Sequence, residues 1–173
     1  PPDLHHPPQR KPMPAESDFT IRLADGRSVL VDEVDYLRLK DMKWRGVKKR
    51  SLWYAVTTPS GTNKTISMHR LILNAAEGIE VDHRNHDGLD NRRSNLREAT
   101  RQQNMRNTRK RAGCTSKFKG VHWAAHRQKW WARICVSGRM KSLGLFTQEI
   151  DAARRYNEEA AVLFGEFANL NQL

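Results

Sequence analysis

Cysteine is scarce. The 173 residues hold two, Cys114 and Cys135, too few for a disulfide-dense scaffold or a four-cysteine zinc site, so both read as reduced thiols. Long apolar runs are missing too. Nothing approaches the roughly 20 apolar residues that span a bilayer, which excludes a helical membrane protein. The chain opens Pro1-Pro2 with no charged-then-apolar leader, so no signal peptide is visible and a cytoplasmic setting is expected. Hydrophobic residues make up 38%, which suits small modules better than one large core. The most informative absence is of acid: the 50 residues from Ala99 to Gln148 contain no aspartate or glutamate.

That stretch carries 12 of the 31 basic residues, leaving 19 basic against 19 acidic elsewhere. The net charge of +12 is therefore concentrated in one stripe. A neutral body with a basic stripe points to a polyanion, most often nucleic acid. The competing reading, a solubilising surface, does not account for Trp123, Trp130 and Trp131 inside the stripe.

The pattern predicts an α+β fold in several small modules. Residues 1–17 are proline-rich and aperiodic and read as a disordered tail. Residues 18–66 read as a small α+β module. Phe19, Ile21 and Leu23 alternate, Asp25-Gly26 signals a turn, and Asp32 is placed to cap a short helix with Val34, Tyr36 and Leu37 inward. Within residues 67–108, His69 to Leu73 is expected as a short helix and Val81-Asp82-His83 as a strand. Thr100 with Gln103 makes a capping box opening a second helix. Residues 109–116 form a basic linker. From 117 to 171 the expected order is three strands, then a helix from Gln148 capped by Thr147 and stopped at Gly165. Its apolar stripe is Ala152, Ala153, Tyr156, Ala160, Ala161 and Phe164.

Chemistry concentrates around Asp82-His83, with Asn95 twelve residues after the histidine and Asn104 twenty-one after it. A strand end, a loop and a capped helix can converge on one point. Asp and Asn oxygens are hard ligands suited to Mg²⁺, and a neutral imidazole beside them can take a proton from water. Together these meet the needs of phosphodiester hydrolysis. Two other readings stand beside it: loop-forming polar residues without catalysis, and a zinc site from Asp82, His83 and His86 without any cysteine. Neighbours in a regular strand point to opposite faces, so Asp82 and His83 share a site only where the strand distorts or ends.

Val81-Asp82-His83-Arg84-Asn85, Leu89-Asp90-Asn91-Arg92-Arg93-Ser94-Asn95-Leu96-Arg97 and the upstream Met68-His69-Arg70-Leu71-Ile72 resemble HNH endonucleases of phage and intron homing type. The resemblance implies a ββα-metal fold. His83 would be the general base, Asp82 and Asn104 the ligands of Mg²⁺ (or Mn²⁺), and Asn95 the residue that constrains the loop and orients His83. Asn104 stands where many relatives carry a histidine, a stronger ligand. The implied setting is a phage- or bacterium-encoded enzyme acting on DNA in the host cell.

A second set of blocks lies downstream: Phe118-Lys119-Gly120-Val121, Trp131-Ala132-Arg133-Ile134, Leu143-Gly144-Leu145-Phe146, Ala152 to Asn157 and Gly165 to Asn171. In that order they resemble the APETALA/ethylene-response-factor DNA-binding domain. The resemblance implies a three-stranded antiparallel sheet, backed by one helix, lying in the major groove. Strand parity puts Trp131 and Arg133 on one face and Ala132 and Ile134 on the other. The expected DNA contacts are Arg101, Arg109, Lys110, Arg111, Lys119, His122, Trp131, Arg133, Arg139 and Lys141. The combined expectation is a site-specific, metal-dependent DNA endonuclease acting on double-stranded DNA, with no membrane and no protein partner evident. The alternatives are a DNA-binding protein with an inactive nuclease module and, less favoured, an RNA-binding protein.

Overall fold

The computed structural model describes residues 19–108, 110 and 113–173. The expected tail, Arg109 and Arg111 lie outside the described residues. The α+β class holds. The chain opens with the antiparallel hairpin β1 (Phe19–Arg22) and β2 (Ser28–Val31), then α1 (Glu33–Leu39). Strands β3 (Arg45–Lys49), β4 (Leu52–Thr57) and β5 (Ile66–Ser67) form an antiparallel sheet in that order. Helix α2 (Met68–Leu73) follows directly.

A second hairpin, β6 (Glu80–His83) with β7 (Leu96–Ala99), leads into α3 (Arg101–Arg106). The predicted capping box is present. Thr100 Oγ1 accepts from the Gln103 backbone N–H, and the Gln103 side chain accepts from the Thr100 backbone N–H. The last unit is the antiparallel sheet of β8 (Val121–Ala124), β9 (Lys129–Val136) and β10 (Arg139–Phe146), with β9 central. Helix α4 (Glu149–Phe164) packs on it.

Residues 19–66 and 67–108 share one apolar core. Ile21, Leu23, Val29, Val31, Leu39, Trp44 and Ala55 from the first pack with Met68, Ile72 and Leu96 from the second. Polar ties reinforce it. Leu30 N–H donates to Leu89 O (2.9 Å) and Asn91 N–H to Leu30 O (2.8 Å).

The face of α1 differs from expectation. Val34 and Leu37 are 65% and 60% exposed, while Asp35 is fully buried with Leu39. The reason is Arg93, whose guanidinium grips Asp35 (2.7 and 3.0 Å) and also donates to Ile72 O. A charge-assisted fork of this kind compensates a carboxylate for lost water. Asp32 does not cap its own helix; its carboxylate accepts the Arg93 backbone N–H (2.7 Å).

A second core lies between the C-terminal sheet and α4, where Ala152, Ala153 and Ala160 let the helix approach Val121, Ala132 and Ile134 closely. Ala161 is exposed, not part of the stripe. The N-cap is Gln148 rather than Thr147, and no side chain caps it.

This unit docks on α3 through polar contacts. Lys119 Nζ donates to Arg106 O (2.6 Å) and Thr108 O (2.7 Å), satisfying carbonyls at the C-terminal end of α3. Asn169 Nδ2 also donates to Thr108 O, and the Arg106 guanidinium lies 4.8 Å from the Phe164 ring centre.

Gly120, just before β8, has φ +76° and lies against the Tyr156 ring and Arg133 O, where a Cβ would collide with both. Gly120→Ala combines a strained backbone with overpacking. It is expected to lower stability by ~2–4 kcal/mol, measured by urea denaturation.

Candidate active site

Strand β6 ends at His83. Its register sets Asp82 opposite Arg97 and His83 opposite Leu96, so the two side chains leave on opposite faces. Asp82 turns toward Arg97 and the end of α3. Arg97 Nε and Nη2 donate to Asp82 Oδ2 at 2.9 and 2.6 Å. Asn107 Nδ2 lies 3.0 Å from both carboxylate oxygens and 3.2 Å from His83 O. All three side chains are buried.

His83, itself buried, turns the other way, into a half-buried aromatic cluster. Its ring meets His69 edge-on (5.1 Å between centres) and Tyr54 at 5.8 Å. Its Nε2 lies 3.4 Å from Asn91 Oδ1. Asn91 donates its own Nδ2 to Gly88 O, which leaves Oδ1 as the acceptor. The tautomer consistent with this pair carries the proton on Nε2 and leaves Nδ1 basic. Burial lowers the His83 pKa below its ordinary value. The Asn91 hydrogen bond and the carboxylates of Asp82, Asp87 and Asp90 pull the other way. The imidazole is therefore neutral at neutral pH, the form that accepts a proton.

Asn95 ties the intervening loop together. Its Oδ1 accepts the Asn85 N–H (3.0 Å) and its Nδ2 donates to Asp90 O (2.7 Å). Asp90 is gripped by Arg92 Nε and Nη2, both at 2.8 Å, which holds its carboxyl below the usual range. The hydrogen bonds of Asn95 go to the loop; the one reaching His83 comes from Asn91.

Asn104 also departs from expectation. Its Nδ2 donates to Glu80 Oε2 (2.6 Å), and Asn107, three residues on, meets Asp82. Positions three apart share a helix face, so α3 sets Asn104 against Glu80 and Asn107 against Asp82. The sequence reading missed Asn107, Asn91, Arg97, His69 and Tyr54 as neighbours of the site. The i,i+3 spacing of the two asparagines was the available signal for Asn107.

Glu80, Asp82, Asn104 and Asn107 offer carboxylate and carboxamide oxygens. Such hard donors fit Mg²⁺ or Mn²⁺, which take one or two carboxylates and complete their shell with water and phosphate. Asp82 Oδ1 accepts from Asn107 Nδ2 and not from Arg97. Among the described residues no three His, Cys, Asp or Glu side chains cluster as metal ligands, so the zinc alternative gains no support.

The expected DNA-contacting residues divide. Ala132 and Ile134 are buried toward α4, leaving Trp131 and Arg133 on the opposite face, with His122 paired to Trp131. The Arg133 guanidinium lies 5.1 Å from the Trp131 ring centre, and Trp131 Nε1 donates to Ser142 Oγ. Arg101 is exposed on α3 and Lys110 is half-buried.

Three lysine and arginine positions are not on that face. Lys119 is committed to the α3 carbonyls, and burial lowers its pKa to about 8. Lys141 pairs in register with Ile134 and its Nζ donates to Glu159 on α4 (2.7 Å). Arg139 pairs with Val136 and so shares the α4 side. Directly opposed residues share a face, a register that the short turn at Ser137-Gly138 sets.

Residues 68–106 match the HNH endonuclease family. This segment runs from the start of α2 to the end of α3 and contains Asp82, His83, Asn95 and Asn104, stopping one residue short of Asn107. The chain is similar to an uncharacterised HNH endonuclease of Acanthamoeba polyphaga mimivirus, 38% identical over 95 residues, 55% of this chain. The match covers 48% of that relative, so the chain spans about half its length. No solved structure matches. Among the described residues no helix is long and apolar enough to cross a membrane.

His69 generates a pH prediction. Its Nδ1 is buried without a partner, and burial, reinforced by His83, Lys49 and Arg70, lowers its pKa to about 3. The unfolded chain binds the proton below about pH 6.5 and the folded chain does not. Stability is therefore complete above that pH and falls as pH drops toward 3, by about 2 kcal/mol at about pH 5. His69→Phe is expected to flatten this part of the profile, read from urea midpoints between about pH 7 and 5.

Proposed function

We propose that the chain is a metal-dependent, site-specific DNA endonuclease of homing type that hydrolyses a phosphodiester bond in a host cell. The observation that carries this reading is a buried, neutral imidazole at the end of β6 within the HNH-matching segment. His83 is oriented by Asn91 on one face of the strand, Asp82 meets the end of α3 on the other, and the loop between β6 and β7 is pinned by Asn95.

His83 Nδ1 takes the proton of the attacking water, while the Asn91 hydrogen bond holds the ring in one tautomer. Asp82, with Asn104 on α3 and Asn107 at its C-terminal cap, would hold Mg²⁺ or Mn²⁺. A divalent ion bound there supplies positive charge to the phosphate and the leaving oxygen. Arg97 keeps the Asp82 carboxylate in place. The cluster of Tyr54 and His69 shields His83 from bulk water and keeps it neutral.

The C-terminal unit supports a DNA-reading role. The expected fold, three antiparallel strands backed by one helix, is present, and the APETALA-like blocks run along it. Trp131 and Arg133 lie on the sheet face away from the Ala132 and Ile134 core, the side expected to meet DNA. Arg97 is also the observation behind the second reading, a DNA-binding protein with an inactive nuclease module. Its two N–H groups already neutralise the carboxylate assigned to the metal.

His83→Ala is expected to lower cleavage at least 10²–10⁴-fold with DNA affinity unchanged, and added metal does not restore it. Asp82→Asn and Asn107→Ala lose activity that raised Mg²⁺ or Mn²⁺ partly restores. Wild-type protein that binds DNA yet cleaves nothing with either metal establishes the inactive-module reading instead. Normal cleavage by His83→Ala removes the site assignment.

If the basic stripe neutralises roughly six to ten phosphates, log affinity falls against log salt with a slope of roughly −5 to −9. A flat response in a binding titration excludes the nucleic-acid reading.

A further inference from the structure

Between α3 and the C-terminal sheet lies a cleft of about 770 Å³, within the range of ligand sites. It is separate from the His83 site: α3 contributes Arg101, Gln102, Met105 and Arg106 to it, and neither Asn104 nor Asn107. One wall is an open strand edge. β8 pairs with β9 only from Lys129 to Ala132, so Ile134 and Cys135 border the cleft without β8 beside them.

The walls combine two chemistries. Met105, Ile134, Met140, Tyr156 and Phe164 provide apolar surface. Met105 and Met140 are 65% and 55% exposed, so their apolar surface is open to a ligand in the cleft. The cations are Arg101, Arg106, Lys119 and Arg133, and no described lining residue is acidic. Lys119 is committed to the α3 carbonyls. Arg133 Nε is buried with no hydrogen-bond partner, a donor left over inside the cleft.

We propose that this cleft receives one unpaired nucleotide of the DNA substrate, its base against Met105 and Met140 and its phosphate on Arg133 and Arg101. The proposal rests on the DNA reading above and names a second contact for that substrate. The backbone of a paired duplex satisfies the cations but leaves the apolar walls bare. A nucleotide whose base has left the stack presents both a phosphate and an apolar face, the combination that single-strand sites use. Local opening of a duplex exposes such a nucleotide. The absence of acid on the rim favours this polyanion over a peptide adding to the β9 edge.

The test uses the full chain in EDTA, with fluorescence anisotropy on a labelled short oligothymidylate and on a labelled duplex. The wild type is expected to bind the single strand. The double variant Met105→Ala, Met140→Ala should bind it at least about fivefold more weakly, a larger loss than on the fully paired duplex. Both methionines are exposed, so the variant keeps its fold, checked by its urea midpoint. Arg133→Gln is expected to weaken the single strand as well. Absence of single-strand binding, or single-strand affinity that the methionine changes leave intact, overturns the proposal. Duplex cleavage with Mg²⁺ is scored in parallel. Cleavage that depends on His83 without single-strand binding overturns the cleft alone, whereas loss of all DNA binding overturns the DNA reading with it.

Discussion

The guanidinium of Arg97 lies where three parts of the chain meet. Two of its N–H groups hold Asp82 at the end of β6, and Nη1 donates to the Glu166 carbonyl just after α4. Its flat face lies 4.0 Å from the centre of the Phe167 ring. Arg97 and Asp82 are both buried. A buried pair of this kind adds little net stability, but removing either partner leaves an uncompensated charge and costs about 3–5 kcal/mol. Asp82 is therefore fixed in place, and the C-terminal turn stays seated against the hairpin. Arg84 adds an exposed ion pair to Glu166 (2.7 Å), worth little by itself but aligned with the same contact.

The same logic of paired charge runs through the rest of the fold. Arg93 brings Asp35 into the core and thereby turns α1 so that its apolar residues Val34 and Leu37 face solvent. Arg92 holds Asp90 and steadies the loop that Asn95 closes. Lys119 and Lys141, both in the acid-free stripe, serve the structure: one satisfies the end of α3, the other pairs with α4. The basic surface available to a polyanion is thus smaller than the net charge suggests. It gathers on α3, on Arg133 and around the cleft between them, beside residues that have no acid to answer them.

Much of the architecture was legible. The capping box at Thr100, the strand-helix order of the C-terminal unit and the parity of Ala132 and Ile134 follow from local pattern, because alternation and capping act over two to four residues. Asp82 and His83 were legible from their residue types and spacing. Asn107 was less so, since two asparagines on one face of α3 look equivalent until β6 is laid beside them. The role expected of Asn95 divided: it ties the loop, while Asn91, from within the loop, meets His83.

What the sequence determined by itself is the set of elements, the charge asymmetry and the residues capable of proton transfer and metal binding, since these depend on side-chain chemistry and short-range geometry. Tertiary structure alone decided that residues 19–108 share a core and that α1 is turned about a buried aspartate. It also decided that Lys119 and Lys141 are internal partners, and that His83 and Asp82 look into different surroundings. Each of these depends on groups distant in sequence, such as Arg93 with Asp35 or Arg97 with Glu166. Whether a charge faces water or a partner is settled only when the chain brings those groups together.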